Sequence, residues 1–168
     1  PNPDVPRMQM VNDAFALSDE LGLTDRVVFF NEGWVPYDER ANYLLDADLG
    51  VSTHLDHLET RYSFRTRILD YLWASLPVVA TDGDTFAEII VRRGIGQVVP
   101  PDDIDALEQA LERVLFDEDA RAGMLANVQA LADSMKWEKV LRPLIDFCAT
   151  GQRAPDLVQG LRITPVLK

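Results

Sequence analysis

The sequence predicts an α/β fold, a Rossmann-like parallel sheet with helices on both faces, and three observations carry the prediction. Short runs rich in β-branched residues, "RVVFF", "DLGVST", "PVVAT" and "GQVVP", are separated by longer stretches in which apolar residues recur at helical spacing. Strands separated by helices join most simply through right-handed crossovers into a parallel sheet covered on both sides. The chain has 168 residues, of which 47% are hydrophobic, enough for one sizeable core.

Taken in order, "PNPDVP" has three prolines in six residues and reads as an extended, turn-rich entry. A helix follows over 8–21, with Met10, Val11, Ala14, Phe15, Leu17 and Leu21 on its apolar face and Gly22 as its stop. "RVVFF" is the first strand, the stretch from Asp38 to Leu45 the second helix, and "DLGVST" the second strand. "YSFRTRILDYLWAS" supplies a helix starting near Ser63, followed by "PVVAT" as the third strand, "DTFAEIIVRR" as a helix and "GQVVP" as a short fourth strand. The rest is helical: "DDIDALEQALERVLFD" opens with acids suited to a helix N-terminus, "EDARAGMLANVQALADS" follows, and "KWEKVLRPLIDFCA" is broken by Pro143. Residues 1–150 thus form one Rossmann-like domain on this reading. Residues 151–168, mixing Pro, Gly and isolated apolar residues, form a carboxyl-terminal tail.

Composition narrows the function. Sixteen basic against 28 acidic residues, a net charge of −12, give no continuous positive field for a nucleic acid. The single cysteine, Cys148, cannot form an internal disulfide, and no apolar run approaches the ~20 residues of a membrane span, so the expected location is cytoplasmic. The start lacks an initiator Met and the charged and apolar regions of a signal peptide, which suggests a piece of a longer chain. A sheet edge left unpaired by such a cut would promote self-association.

Ligands of open α/β sheets bind beyond the carboxyl ends of the strands. Of the four loops there, "THLDHLETRYS" is the longest, and Arg61, Arg65 and Arg67 follow within seven residues at its end. With Ser63 as N-cap, free amides at Phe64, Arg65 and Thr66 would face an anion, with Arg65 and Arg61 as candidate charge-assisted donors. The alternative stays open that Arg67 pairs with Asp70 at i,i+3 and the other arginines solvate an acidic surface. Asp70 can equally accept bonds from a sugar's hydroxyls, as acids do for ribose in dinucleotide folds. "HLDHLE" gathers His54, Asp56, His57 and Glu59, but loop residues of this kind commonly bind no metal, and no metal site is expected. Trp73 and Cys148 read as packed side chains, and Trp34 is left as either core or a base-stacking ring.

Several motifs in order resemble the retaining GT-B glycosyltransferases of family four (glycosyl transferases group 1). "YSFRTRILDYLWASLPVVATDGDTFAEII" is similar to that family's "EGFGLxxLEAMAxGxPVVAT…E", with Phe64, Leu69, Asp70, Pro77 to Thr81 and Glu88 in register. "RVVFFNEGWVPYDERANYLLDADLGVST" resembles its "VxFxGxVxxxELxxLYxxADVxVxPS", and "GQVVPPDDIDALEQALERVL" its "GxLVPPxDxxALAxAIxxLL". The likeness covers roughly 21–117 and implies the carboxyl-terminal, donor-binding domain of the family, truncated at its start. On that resemblance Asp70 holds the donor's ribose, Ser63, Phe64 and Arg65 its phosphate, and Gly33, Trp34 and Val35 the base. The first signature glutamate falls on Tyr62, so the donor-sugar contact passes to Glu59; the loop glycines become Ser63 and Arg65, and the glycine before the proline becomes Leu76. No catalytic residue is visible.

The function implied is transfer of a sugar from a nucleotide-diphosphate sugar, a donor substrate rather than a cofactor, to an acceptor with retention. The acceptor domain and the arginine and lysine that clamp the diphosphate would lie in an absent amino-terminal part, so the chain alone would be inactive. A competing reading is a non-catalytic α/β nucleotide-binding or protein-interaction module that kept the scaffold and lost the site, which Tyr62 favours.

Overall fold

The computed structural model describes residues 8–31 and 33–151, and the chain divides into two compact units, 1–47 and 48–168. "PNPDVP" and residues 152–168 of the predicted tail lie outside the described residues.

In the amino-terminal unit, α1 (Gln9–Glu20) forms where the periodicity predicts it, and Gly22 at φ 63° follows its end. Ser18 is buried on it, its hydroxyl 2.7 Å from that of Thr24, which donates to Asp19 Oδ1 at 2.6 Å. Phe15 stacks on Phe30 with ring centroids 4.0 Å apart. The predicted strand "RVVFF" is instead a turn: the amides of Arg26, Val27 and Val28 all donate to the Leu23 carbonyl, and a lone bridge joins Thr24 to Val28. A strand is stable only on a ladder, and among the described residues this unit holds no second strand to pair with, so Val27 and Phe29 stay exposed despite their β-propensity. The second helix, α2 (Arg40–Leu45), starts two residues later than predicted, and Arg40 lies 4.4 Å over the Tyr37 ring.

The carboxyl-terminal unit is built on a parallel sheet of order β1-β2-β3, with β1 at Gly50–Ser52, β2 at Val78–Thr81 and β3 at Gly96–Val99. These are the remaining three predicted strands. The central strand β2 is buried at every position, and its pleat divides the core. Val78 and Ala80 face Ile68, Leu72, Phe86, Ile90, Val128 and Leu131, whereas Val79 faces Val99, Ala110, Val114 and Met124. The first group comes chiefly from α4 (Arg67–Trp73), α5 (Thr85–Arg93) and α7 (Glu118–Ser134), the second from α6 (Ile104–Phe116) and α7, so helices cover both faces as predicted. Asp84, Asp103 and Asp117 cap α5, α6 and α7, each accepting from the amide three residues on at 2.8 to 3.0 Å. The last predicted helix is split into α8 (Trp137–Val140) and α9 (Arg142–Thr150), with Pro143 in the first turn of the second, where its missing N–H costs nothing.

Two local predictions are corrected. The helix expected from Ser63 begins only at Arg67, because a separate short helix, α3 (Leu58–Tyr62), precedes it and Ser63 is its C-cap. The end of α4 is closed by Ser75 at φ 61°, with Leu76 N–H bonded to Tyr71 O and Ser75 N–H to Leu72 O. The position that calls for glycine is therefore Ser75, one before Leu76. Replacing Ser75 by Gly relieves a left-handed side chain, and Ser75→Gly is expected to stabilise the unit by ~1 kcal/mol in urea unfolding; a loss of stability would contradict this geometry.

Candidate functional site

Beyond the carboxyl end of β1 the chain passes through 53–57 into α3, then through 63–66 into α4. An open cavity of about 290 Å³ lies here, lined by Ser52 at the end of β1, Glu59 of α3 and the five residues from Ser63 to Arg67. Its place at the carboxyl edge of a parallel sheet is where such folds bind ligands. The site is shaped by how the 63–66 segment is held. Ser63 Oγ donates back to the Glu59 carbonyl at 2.8 Å, and the half-exposed Phe64 ring packs on the buried Phe86 ring at 4.6 Å. Among the described residues no backbone carbonyl takes the amides of Phe64, Arg65 or Thr66.

Arg65 is held by a carboxylate that the sequence reading passed over. Asp84 Oδ1 accepts from Ala87 N–H at 2.8 Å to cap α5, while Oδ2 lies 3.0 Å from Arg65 Nε and 3.7 Å from His54 Nε2. The Asp84 side chain is 2% exposed and that of His54 6%, against 26% for Arg65. A second contact runs from Arg65 Nη2 to the buried Thr60 hydroxyl at 3.4 Å; that hydroxyl donates to Leu55 O at 2.9 Å, and Thr60 N–H donates to His57 Nδ1 at 3.3 Å, capping α3. His54 is tied to the sheet by its own N–H, which donates to Thr81 Oγ1 at 3.2 Å. An Asp directly before "TFAEII" is an N-cap signature that could have marked Asp84. Nothing in the sequence shows that its second oxygen meets an arginine nineteen residues earlier.

The structure therefore brings together Glu59, Ser63, Phe64 and Arg65 around one cavity. Asp70, on the first turn of α4, does not line the cavity, although Arg67 does. One residue on, Tyr71 donates to Val51 O at 3.1 Å; burial pushes its hydroxyl pKa up, with Arg67 opposing and Asp70 adding to the rise. Gly33, Trp34 and Val35 belong to the amino-terminal unit, where the Trp34 side chain is exposed. Trp73, read as packed, is 60% exposed because α4 buries Ile68 and Leu72 instead, and Cys148 is exposed on α9, which buries none of its residues. Arg61 reaches the exposed Asp56 at 3.5 Å. His54 Nε2 lies near Asp84, and among the described residues no three His, Cys, Asp or Glu side chains gather as a metal site. No helix among them is long and apolar enough to cross a membrane.

Comparison with known proteins places the chain in a family and a fold. A phosphatidyl-myo-inositol mannosyltransferase of Mycolicibacterium smegmatis is 30% identical over 127 residues, 76% of this chain and 32% of that protein. Among solved structures, WaaG, a glycosyltransferase involved in lipopolysaccharide biosynthesis, superposes with a TM-score of 0.60 at 22% identity, covering 84% of this chain and 36% of that one. Sucrose-phosphate synthase from Thermosynechococcus elongatus does so with a TM-score of 0.67 at 21% identity, covering 89% and 36%. These two establish the shared fold, and the chain spans about a third of the length of each of the three proteins. Residues 7–117 match the family described as glycosyl transferases group 1, and the chain belongs to that family.

Proposed function

We propose that the chain is the donor-binding part of a retaining glycosyltransferase of family four, which moves a sugar from a nucleotide-diphosphate sugar to an acceptor held elsewhere in the protein. The observation that carries this reading is that Glu59, Ser63, Phe64 and Arg65, the residues assigned to donor sugar and phosphate, line one cavity at the carboxyl edge of the sheet. Two cations, Arg65 and Arg67, and the amides of 64–66 suit a diphosphate there. Catalysis in the whole enzyme would come from orienting the donor and stabilising the leaving diphosphate with fixed dipoles and cations, with no metal required. Asp70 takes the ribose and Gly33, Trp34 and Val35 the base in this reading, and the protein works in the cytoplasm. The match to glycosyl transferases group 1 and a relative named a mannosyltransferase support sugar transfer as the reaction.

The test is ligand-observed NMR with UDP, GDP and ADP on the chain and on Asp70→Ala. One nucleotide should bind at about millimolar Kd, and Asp70→Ala should weaken it on the order of tenfold through loss of the hydroxyl contacts. Binding unaffected by Asp70→Ala would remove Asp70 from the site, and no binding of any nucleotide would favour the interaction-module reading.

A further inference from the structure

We infer that Arg65 is shared between two anions, the buried Asp84 carboxylate and a phosphate-type anion in the cavity, and that His54 takes Arg65's place on Asp84 when the cavity fills. The inference deepens the donor-site reading and rests on it only for the identity of the anion. Arg65 lies on the boundary between the two environments: it lines the cavity, yet its Nε sits 3.0 Å from a carboxylate that is 2% exposed. Its hold there is loose. The Nε–H is not aimed at the oxygen although the atoms are close, and the Nη2 contact to Thr60 at 3.4 Å is near the limit of a hydrogen bond.

Swinging the guanidinium toward an anion would, by itself, strand a buried carboxylate, which is strongly unfavourable. His54 removes that obstacle. Its ring is 6% exposed, neither ring nitrogen has a hydrogen-bond partner among the described residues, and Nε2 stands 3.7 Å from the same Asp84 oxygen. An approach of under about 1 Å turns this into a hydrogen bond, which a neutral imidazole with its proton on Nε2 can donate. Asp84 Oδ1 keeps Ala87 N–H throughout, so α5 stays capped and the exchange is confined to Oδ2. Exchange would give these buried ring atoms a use: among the described residues no protein group bonds Nδ1 or Nε2, and the Asp84 oxygen is the acceptor within reach of Nε2.

Exchange predicts a sign that simple support does not. If Asp84 only braced the loop, Asp84→Asn would weaken anion binding; if it competes for Arg65, the same change keeps the helix cap and frees the guanidinium. Titration with inorganic pyrophosphate, followed by the Arg65 Nε–Hε and His54 ring nitrogen NMR signals, should move both together, and Asp84→Asn should bind pyrophosphate roughly threefold to tenfold more tightly. His54→Phe, which removes the replacement donor, should bind it more weakly by a similar factor, and it serves as the readout if Asp84→Asn fails to fold. Unmoved Arg65 and His54 signals, equal or weaker binding by folded Asp84→Asn, or unchanged binding by His54→Phe would each overturn the exchange. Parallel titrations with UDP, GDP and ADP separate the two ideas. Exchange with pyrophosphate but no nucleotide binding would sink the donor reading alone, and nucleotide binding with Arg65 and His54 unmoved would sink the exchange alone.

Discussion

Gly96→Ala should be the most damaging small substitution in the carboxyl-terminal unit, lowering its stability by roughly 3 kcal/mol or more. Gly96 opens β3 and pairs with Val78 of the central strand. A Cβ there would penetrate the Val78 carbonyl oxygen and lie 2.7 Å from the Val78 carbonyl carbon and 2.8 Å from its nitrogen. These are backbone atoms of a residue with no exposed surface, hydrogen-bonded through Val78 N–H to Ile95 O at 3.1 Å, so nothing flexible can yield. Either the β2–β3 ladder parts or the strand shifts against both cores. Gly50 offers the contrast: its Cβ would meet the Tyr71 ring, and that side chain can rotate away if it gives up its bond to Val51 O. Urea unfolding should show a lower midpoint at similar m for Gly96→Ala and a smaller drop for Gly50→Ala. A Gly96→Ala midpoint within about 0.5 kcal/mol of the parent would mean that the β2–β3 pairing is not as described.

Phe86→Ala should cost ~3–5 kcal/mol, the range for deleting a fully buried aromatic ring. Phe86 has no exposed surface and joins Ile68, Leu72, Val78 and Ile90 in the larger core, and its ring also carries Phe64 at 4.6 Å. The loss therefore reaches the cavity. Amide exchange at 63–66 should quicken in Phe86→Ala beyond what the fall in global stability explains, because the segment loses its apolar anchor. Phe64→Ala, at a position 54% exposed, should cost much less stability while loosening the same segment. Equal stability losses in the two variants would contradict the burial that separates them.

The sequence was informative wherever a local pattern matched its final environment. "PVVAT" reads as a strand because all its strand residues are buried, and "DTFAEII" reads as a capped helix because Asp84 does cap it. It misled where the environment was not local. "RVVFF" has strong strand propensity but no ladder partner among the described residues of its unit, and Ser63 has the chemistry of an N-cap but ends one helix instead of opening the next. The cavity's loop was legible through the family motif, and four of its assigned residues do meet there. The Arg65–Asp84–His54 cluster was not, since a contact between two loops across a crossover leaves no periodicity. Once seen, it gives a reason for an arginine at a position where the family motif has glycine: the side chain has a buried carboxylate to reach.

The account rests most on the claim that the segment from Glu59 to Arg67 binds the diphosphate of a nucleotide donor. The direct measurement is amide chemical-shift mapping of the 168-residue chain during titration with whichever of UDP, GDP or ADP binds. The predicted result is that the largest shifts fall on Ser63 to Arg67, with Asp70 following and the core of β2 unmoved. Saturable binding whose shifts avoid 59–70 altogether would contradict it.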